Sequence, residues 1–495
     1  ALPEGQVREF LARHIPAPTE QPAVEPEPAV AEQPADAIAR LRREIAAAPD
    51  KPELKLDLAL ALMQSGDVYI DGIRDSALYE RDTFNNDRVE VLKGSASMLF
   101  GRGSTGGVVN QVSKQPFLMN QSDVELSVGS GKNRRATGDF NIQTGEDAAL
   151  RINAMVQTAD NWGANVDKKG IAPSYRWGIG TGDEFLVSLY HLEYDNNPIY
   201  NHPWFLSGGT KGEIIPSLSA RDFYGLSSDY NRGSADYGTF SHTHRFGDGG
   251  ELKSTVRYGR YKRDLWASVL RFASGTTVDN IDDSTVISRT PKGRIGISNN
   301  TFVQSDYTNK FNWFGLTHNI ITGIDLSQET AKRASNYAGA ASGLTTTVGT
   351  PHDGDWRADT RAEPNMNKFQ SRTLGVYAQN TMEITPTVKL IGGLRFDDFK
   401  ADYDLYTGVD YSRADKLWSP RFGALYQPTE WASFYVSYGT SYNTSGDTYQ
   451  FAVGNPSSRQ VNTPPEKSRN IEIGGKFDLF EQRLTASIGL FHSEK

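Results

Sequence analysis

Cysteine is absent from the 495 residues, so disulfides, thiolate catalysis and sulfur-ligated zinc are all excluded. Long apolar runs are missing too. Hydrophobic residues make up 37% of the chain, mean hydropathy is −0.53, and no window offers the roughly 20 predominantly apolar residues of a spanning helix. That excludes a bundle of membrane helices but not a membrane barrel, whose strands need only about 9–11 residues with one apolar face. Basic charge is not in excess: 52 Lys and Arg stand against 60 Asp and Glu, a net charge of −8, which argues against a nucleic-acid binder. The amino-terminal ALPEGQVREFLARHIP has no basic region followed by an apolar core, so no secretory signal peptide is expected there.

Glycine (47 residues) and aromatics (11%) are plentiful, as suits a β-rich chain with many turns and aromatic girdles. From about Asp123 onward the pattern alternates with period two. Leu150, Ile152, Ala154 and Val156 share one face and Arg151, Asn153, Met155 and Gln157 the other; Trp431 to Gly439 and Leu484 to Leu490 repeat the scheme. On the order of fifteen such strands can be counted. Short turns (145–147, 180–183, 428–430) alternate with long polar loops (195–231, 272–296, 331–368), which describes an outer-membrane barrel better than a soluble β-sandwich or propeller.

Residues 1–67 follow a different pattern. Val7, Phe10, Leu11 and His14 recur at helical spacing, 17–34 is a Pro/Glu/Ala linker, and Ile38, Leu41, Ile45 and then Leu54, Leu58, Leu62 predict a short αα-hairpin. The pieces EGQVREFLARHIP and ADAIARLRREIAAAPDKPELKLDLALALMQSGD resemble the end of a thioredoxin domain and the first repeat of a tetratricopeptide-containing thioredoxin co-chaperone. A thioredoxin's redox Cys pair has no counterpart here, and a single repeat cannot bury its own face. A generic amphipathic extension fits the same residues. The pattern changes at Asp67–Val68, which predicts a junction between unrelated coding sequences.

In Val68 to Pro116, two apolar runs (68–70 and 89–92) flank a polar loop, and a glycine-dense turn feeds a third run, 108–112. The order D-G-I-R-D, R-V-E-V-L-K-G and G-R-G-S-T-G-G-V-V-N resembles the second half of the plug of TonB-dependent outer-membrane siderophore receptors. Gly94, Gly101, Gly103, Gly106 and Gly107 match the plug signature; Ser95 stands where that family usually has proline. The resemblance implies a mainly β fold: a partial plug (68–118) inside an incomplete transmembrane β-barrel (119–495), with a short α-helical extension and linker over 1–67. Against a family barrel of about 22 strands, roughly seven are expected to be missing beyond Lys495, leaving an open edge that lipid cannot satisfy.

Gly101 to Gly106 formally fits GxGxxG, but the β-branched Val108-Val109 that follows is strand-like, so no nucleotide site is expected. Gly129 to Asn133 is a hairpin turn, not a P-loop. His242 and His244 share a strand face with no carboxylate evident nearby, so a lumen-facing or rim pair is expected rather than a metal site. No Ser-His-Asp or paired-carboxylate arrangement stands out, and no enzyme is expected.

The resemblance implies a ferric siderophore as ligand, of the catecholate type because Tyr79 and Arg81 match that branch's Y-x-R-D element. Arg with Tyr and Trp can meet an anion with aromatic faces, while iron stays coordinated by the siderophore, so no cofactor and no protein metal ligand is needed. The loop Asp75 to Asn85 is expected to form part of the ligand floor, with Tyr200, Trp204, Phe205, Tyr224 and Arg221 as loop candidates. Glu472 on a lumen face is expected to pair with Arg88 or Lys93 as a plug latch. Partners implied are outer-membrane lipid and the TonB complex; the TonB contact segment and the first plug half should precede Val68, so this chain is expected not to transport. A passive porin-like or adhesive barrel and a co-chaperone fragment with an unrelated tail are the competing readings.

Overall fold

The computed structural model describes residues 68–494 apart from 199–203, 208–210, 215–217, 274, 278, 336–342, 445–462 and 482, with 204–207, 211–214 and 335 described as backbone only. The expected helices and linker of 1–67 lie outside the described residues. Four strands make a small sheet in the order β2-β1-β4-β3: β1 (Val68–Ile70), β2 (Ile73–Arg74), β3 (Asn86–Lys93) and β4 (Gly107–Ser113). A single helical turn, α1 (Ser97–Phe100), sits between β3 and β4. The three apolar runs are thus strands, and β4 rather than a helix follows the glycine turn. Gly107 closes that turn at φ +145°, where a Cβ would lie 2.5 Å from the Leu92 carbonyl oxygen, so only glycine fits there.

The remaining chain builds one large antiparallel sheet. Its first strands are β5 (Gln121–Gly129), β6 (Asn133–Gln143), β7 (Ala149–Ala159), β8 (Val166–Trp177) and β9 (Asp183–Asn196). A separate hairpin, β10 (Trp204–Ser207) with β11 (Lys211–Ile214), interrupts the connection to β12 (Tyr230–Arg245), β13 (Glu251–Phe272), β14 (Val286–Trp313) and β15 (Leu316–Ser335). The short β16 (Leu344–Thr347) pairs with the start of β14, and β17 (Asn367–Thr385), β18 (Val388–Asp404), β19 (Asp410–Thr429), β20 (Ala432–Asn443), β21 (Glu466–Leu479) and β22 (Leu484–Glu494) complete the order. The sheet holds 16 strands, with β5 and β22 as its two edges. Two loops are shorter than their polarity suggests. β14 begins at Val286 because Ile287 still pairs with Phe272 at the end of the long β13, and β15 runs on to Ser335 against Arg294. Backbone pairing carries these strands past the apolar zone.

The sheet is apolar on the outside. Along β17, Phe369, Ser371, Thr373 and Tyr377 are buried while Leu374 and Val376 are exposed; in β7, Asn153 and Met155 are buried and Val156 is exposed. Val187, Leu189, Phe240, Val256, Ile324, Leu326, Leu394 and Phe422 continue this exposed band. Water would expel such a face and lipid would accept it, which excludes a soluble sandwich. Trp313, Phe314, Trp431, Phe480 and Phe246, all exposed, cluster at the short turns and form an aromatic girdle at that end.

The inward face meets the small sheet. Plug residues Ile70, Tyr79 and Phe84 share a core with Met155, Tyr190, Leu192, Tyr194, Ala235, Tyr237 and Tyr261 of the wall. Because the plug touches strands from β6 (Arg135–Asp82) to β21 (Ser95–Ser468), the wall must curl around it.

Candidate functional site

The loop between β2 and β3 is built on Asp75, a buried carboxylate that accepts the Tyr79 hydroxyl at 2.8 Å and the Arg81 Nε at 3.0 Å. A second Arg81 nitrogen donates to the Ser76 carbonyl at 2.5 Å, and the guanidinium lies 5.0 Å from the Tyr79 ring centre. Tyr79 in turn stacks on Tyr261 of β13 at 5.2 Å, and Phe84 stacks on Tyr190 of β9 at 5.5 Å. Burial, and then Asp75, push the Tyr79 hydroxyl well above its usual range; burial works against the Arg81 charge, but Asp75 and Tyr79 more than offset it. Tyr79 and Arg81 are therefore not open floor residues. Their side chains are 6% exposed or less and their polar groups are spent on Asp75, so they pin the loop to the wall. The loop's outer contacts are Glu80, held by Asn196 (2.9 Å), Asn231 (2.6 Å) and Lys168 (3.2 Å), and Asp82, held by Arg135 (2.6 Å).

At the long-loop end, Arg221 is exposed and its guanidinium lies 4.8 Å from the ring centre of Trp162, between β7 and β8. Trp162 holds φ +52°, a conformation uncommon for a bulky residue and one that fixes where the indole stands. Tyr224 differs: it is 1% exposed, donates to the Val348 carbonyl at 3.0 Å, and burial followed by Asp222 pushes its hydroxyl up to about 12. It is a loop-core residue. Tyr200 and the side chains of Trp204 and Phe205 lie outside the described residues. Two arginines tie the loops down: Arg289 reaches Asp353 (2.6 Å) and Asp355 (3.0 Å), and Arg361 reaches Asp264 (3.1 Å) and Asp359 (2.9 Å).

One buried link between plug and wall is one the sequence did not suggest. Arg102, inside the glycine turn, sends a nitrogen to Glu329 of β15 at 3.3 Å, its Nε to Thr373 of β17 at 3.1 Å, and lies 4.3 Å from the Phe399 ring centre of β18. Arg74 of β2 approaches the same Glu329 oxygen at 3.7 Å. The Arg102 and Glu329 side chains are each 4% exposed, and burial drives the Arg102 guanidinium down to about 10 against the pull of Glu329. Beside them Arg395 binds Asp397 and Asp325, both at 2.7 Å. An arginine among five glycines was the only available signal. Glu329 lies 227 positions away, beyond reach of local spacing.

The expected latch through Glu472 is not made. Glu472 faces inward as expected, with Ile471 and Ile473 exposed, but accepts the Tyr435 hydroxyl of the neighbouring strand at 2.6 Å. Arg88 is exposed and binds Glu90 (2.8 Å) and Asp87 (3.0 Å) of its own segment, and Lys93 lines the same cavity as Glu472 without an ion pair among the described residues. Both candidates lie on β3, whose side chains alternate between partly buried and exposed, so local carboxylates reach Arg88 first. Of the signature glycines, Gly94, Gly101, Gly103 and Gly107 hold positive φ, and the Gly106 carbonyl accepts the Gly94 amide at 3.4 Å. His242 and His244 point outward rather than into the lumen, and β9 does bring them a carboxylate, Asp183.

A family model described as "TonB dependent receptor-like, beta-barrel" matches residues 176–495, and "TonB-dependent Receptor Plug Domain" matches 58–108. The plug match thus begins upstream of the change in pattern at Asp67–Val68. Among curated relatives, the chain is 29% identical to the catecholate siderophore receptor Fiu of Escherichia coli K12, covering 87% of this chain and 61% of that one. It is 27% identical to a probable TonB-dependent siderophore receptor, PiuA, of Acinetobacter baumannii, covering 86% and 61%. The chain spans about three fifths of the length of these relatives. Of solved structures, the closed form of the ferric-catecholate import receptor Fiu superposes with a TM-score of 0.76 at 25% identity, covering 87% of this chain and 66% of that one. The siderophore receptor PiuA does so at 0.78 and 25%, covering 86% and 64%.

Proposed function

The chain belongs to the TonB-dependent receptor family, and from that premise we propose that it is an outer-membrane receptor for a ferric siderophore of the catecholate type. The observation that carries this reading is the pairing of an open cation–aromatic site at the loop end with a plug seated beneath it by shielded ion pairs. A passive pore has no use for such a plug. A ferric tris-catecholate is an anion edged with aromatic rings, and Arg221 over Trp162 offers it charge and a ring face together. Tyr200 and Trp204 belong to the same ligand reading. Tyr79 and Arg81 serve it indirectly, holding the loop Asp75 to Asn85 at the depth where bound ligand can press on Glu80 and Asp82. Energy for release enters through TonB in this family, and residues 68–118 form the plug and 119–495 the wall in this reading.

Tryptophan-fluorescence quenching of the purified chain in detergent tests the ligand class. A ferric catecholate should quench saturably, and Arg221→Ala and Trp162→Ala should each weaken binding by roughly three- to thirtyfold, as loss of one partly desolvated cation–π contact implies. Equal binding of a neutral ferric hydroxamate, or no saturable quenching by the catecholate, would refute it.

A further inference from the structure

On the outward face of the wall, near its short-turn end, three metal-ligating groups converge from two strands. Asp183 opens β9 and pairs in register with His244 of β12; His242 follows on the same face two residues earlier. One carboxylate oxygen of Asp183 stands 2.8 Å from His242 Nε2 and 2.8 Å from His244 Nδ1, and all three ligand atoms lie within 4.8 Å of one another. We propose that Asp183, His242 and His244 form a binding site for a divalent transition-metal ion, of the Zn²⁺ or Ni²⁺ class, that clamps β9 to β12 at the rim of the wall.

The donor set suits that class. Two imidazoles and one carboxylate are borderline ligands, favoured by zinc, nickel and copper over magnesium or calcium, and three protein ligands leave a fourth position for water. In a tetrahedral zinc site with bonds of about 2.0–2.1 Å, neighbouring ligand atoms stand roughly 3.3 Å apart. The two 2.8 Å contacts therefore need to open by only about half an ångström, and the two ring nitrogens, within 4.8 Å of each other, to draw together, with each neutral imidazole carrying its proton on the ring nitrogen away from the ion. The rings are already held. His242 lies flat on Phe185, 4.5 Å between centres and 9° between planes, and His244 stands edge-on to Phe246 at 4.6 Å.

The surroundings favour a cation. Opposite His242 and His244 on β13 stand Ser254 and Leu252, which carry no charge. Arg245, the nearest arginine in sequence, is engaged with Glu184 (3.1 Å) and Glu251 (3.2 Å). With neutral imidazoles the cluster carries the single negative charge of Asp183, which repels a lipid phosphate and attracts a metal ion. All three side chains are at least 35% exposed on the outward face beside the girdle, so the site does not lie sealed in the wall.

Equilibrium dialysis of the purified chain in detergent, prepared without a polyhistidine tag, tests the proposal, with Zn²⁺ as the probe and Co²⁺ as its spectroscopic stand-in. One saturable equivalent is expected, with visible absorption of nitrogen- and oxygen-bound Co²⁺. His242→Gln, His244→Gln and Asp183→Asn should each weaken binding by at least about tenfold, and the double histidine variant should abolish it. None of the three positions is buried, and heat-dependent gel mobility of each variant checks that the barrel is intact. No saturable Zn²⁺ uptake by the parent, or the same uptake by the folded double variant, overturns the proposal.

Discussion

Glu329→Gln removes the charge that Arg102 and Arg74 of the plug share, in a site where the Arg102 and Glu329 side chains are each 4% exposed. Breaking one side of a buried ion pair costs roughly 3–5 kcal/mol, because the partner keeps its desolvation cost without its compensation. Glutamine retains an acceptor oxygen, which returns about 1 kcal/mol. Asp397 and Asp325 compensate little, since Arg395 already occupies both. The remaining 2–4 kcal/mol corresponds to roughly a 30- to 700-fold rise in the population with the plug displaced. The absence of cysteine makes this measurable with one added thiol. Met98 of α1 is 2% exposed, and its position faces Gly393 of β18, so Met98→Cys reports when the plug leaves the wall. Its maleimide labelling rate should rise by that factor in the Glu329→Gln background when reclosing is fast. Arg102→Gln combined with Glu329→Gln should cost less than the sum of the two, the mark of direct coupling. Glu472→Gln is the internal control: its carboxylate serves Tyr435 within the wall, so labelling should stay at the parent rate. A Glu329→Gln rate within about threefold of the parent would sink the argument that this pair seats the plug.

Two further outcomes follow from the same geometry. Gly107→Ala forces a Cβ to 2.5 Å from the Leu92 carbonyl at φ +145°, and should destabilise the plug by about 1–3 kcal/mol, read as faster labelling of the same thiol. In the loops, Asp359 is held below its usual range first by Arg361, and Asp353 by the Asp355 amide, Thr346 and Arg289, which outweigh burial. Because both folded-state values are depressed, the stability they lend is present above the unfolded value of about 3.9 and is lost as pH falls through the lower folded values. Amide protection over 343–363, taken as the intrinsic exchange rate at each pH divided by the observed one, should accordingly hold from neutral pH to about pH 4 and fall below it, and protection that falls as pH rises from 4 to 7 would contradict the sign.

The strands and the plug motif were legible in the sequence because both are local. Period two in Leu150–Thr158 and Ala432–Tyr438 needs only neighbouring residues, and the tight turns at Gly101 and Gly107 need only a missing Cβ. Strand limits were less legible: β14 runs into a polar stretch because β13 supplies a hydrogen-bonding partner there. The side-chain roles were the least legible. Tyr79 and Arg81 carry the chemistry of an anion site, and only the packed wall with Tyr261 shows that chemistry turned inward onto Asp75.

What the sequence determined by itself was an all-β wall with alternating faces and a glycine-built plug segment. What the tertiary structure decided was which face stayed exposed as an apolar band, that Arg102 rather than Arg88 or Lys93 found a barrel carboxylate, and that Asp183 reached His242 and His244. The physical reason is the same in each case. Alternation and turn chemistry act over a few residues, whereas an ion pair or a ligand cluster exists only once a curled sheet brings distant strands to within about 4 Å, where Coulomb attraction outweighs desolvation.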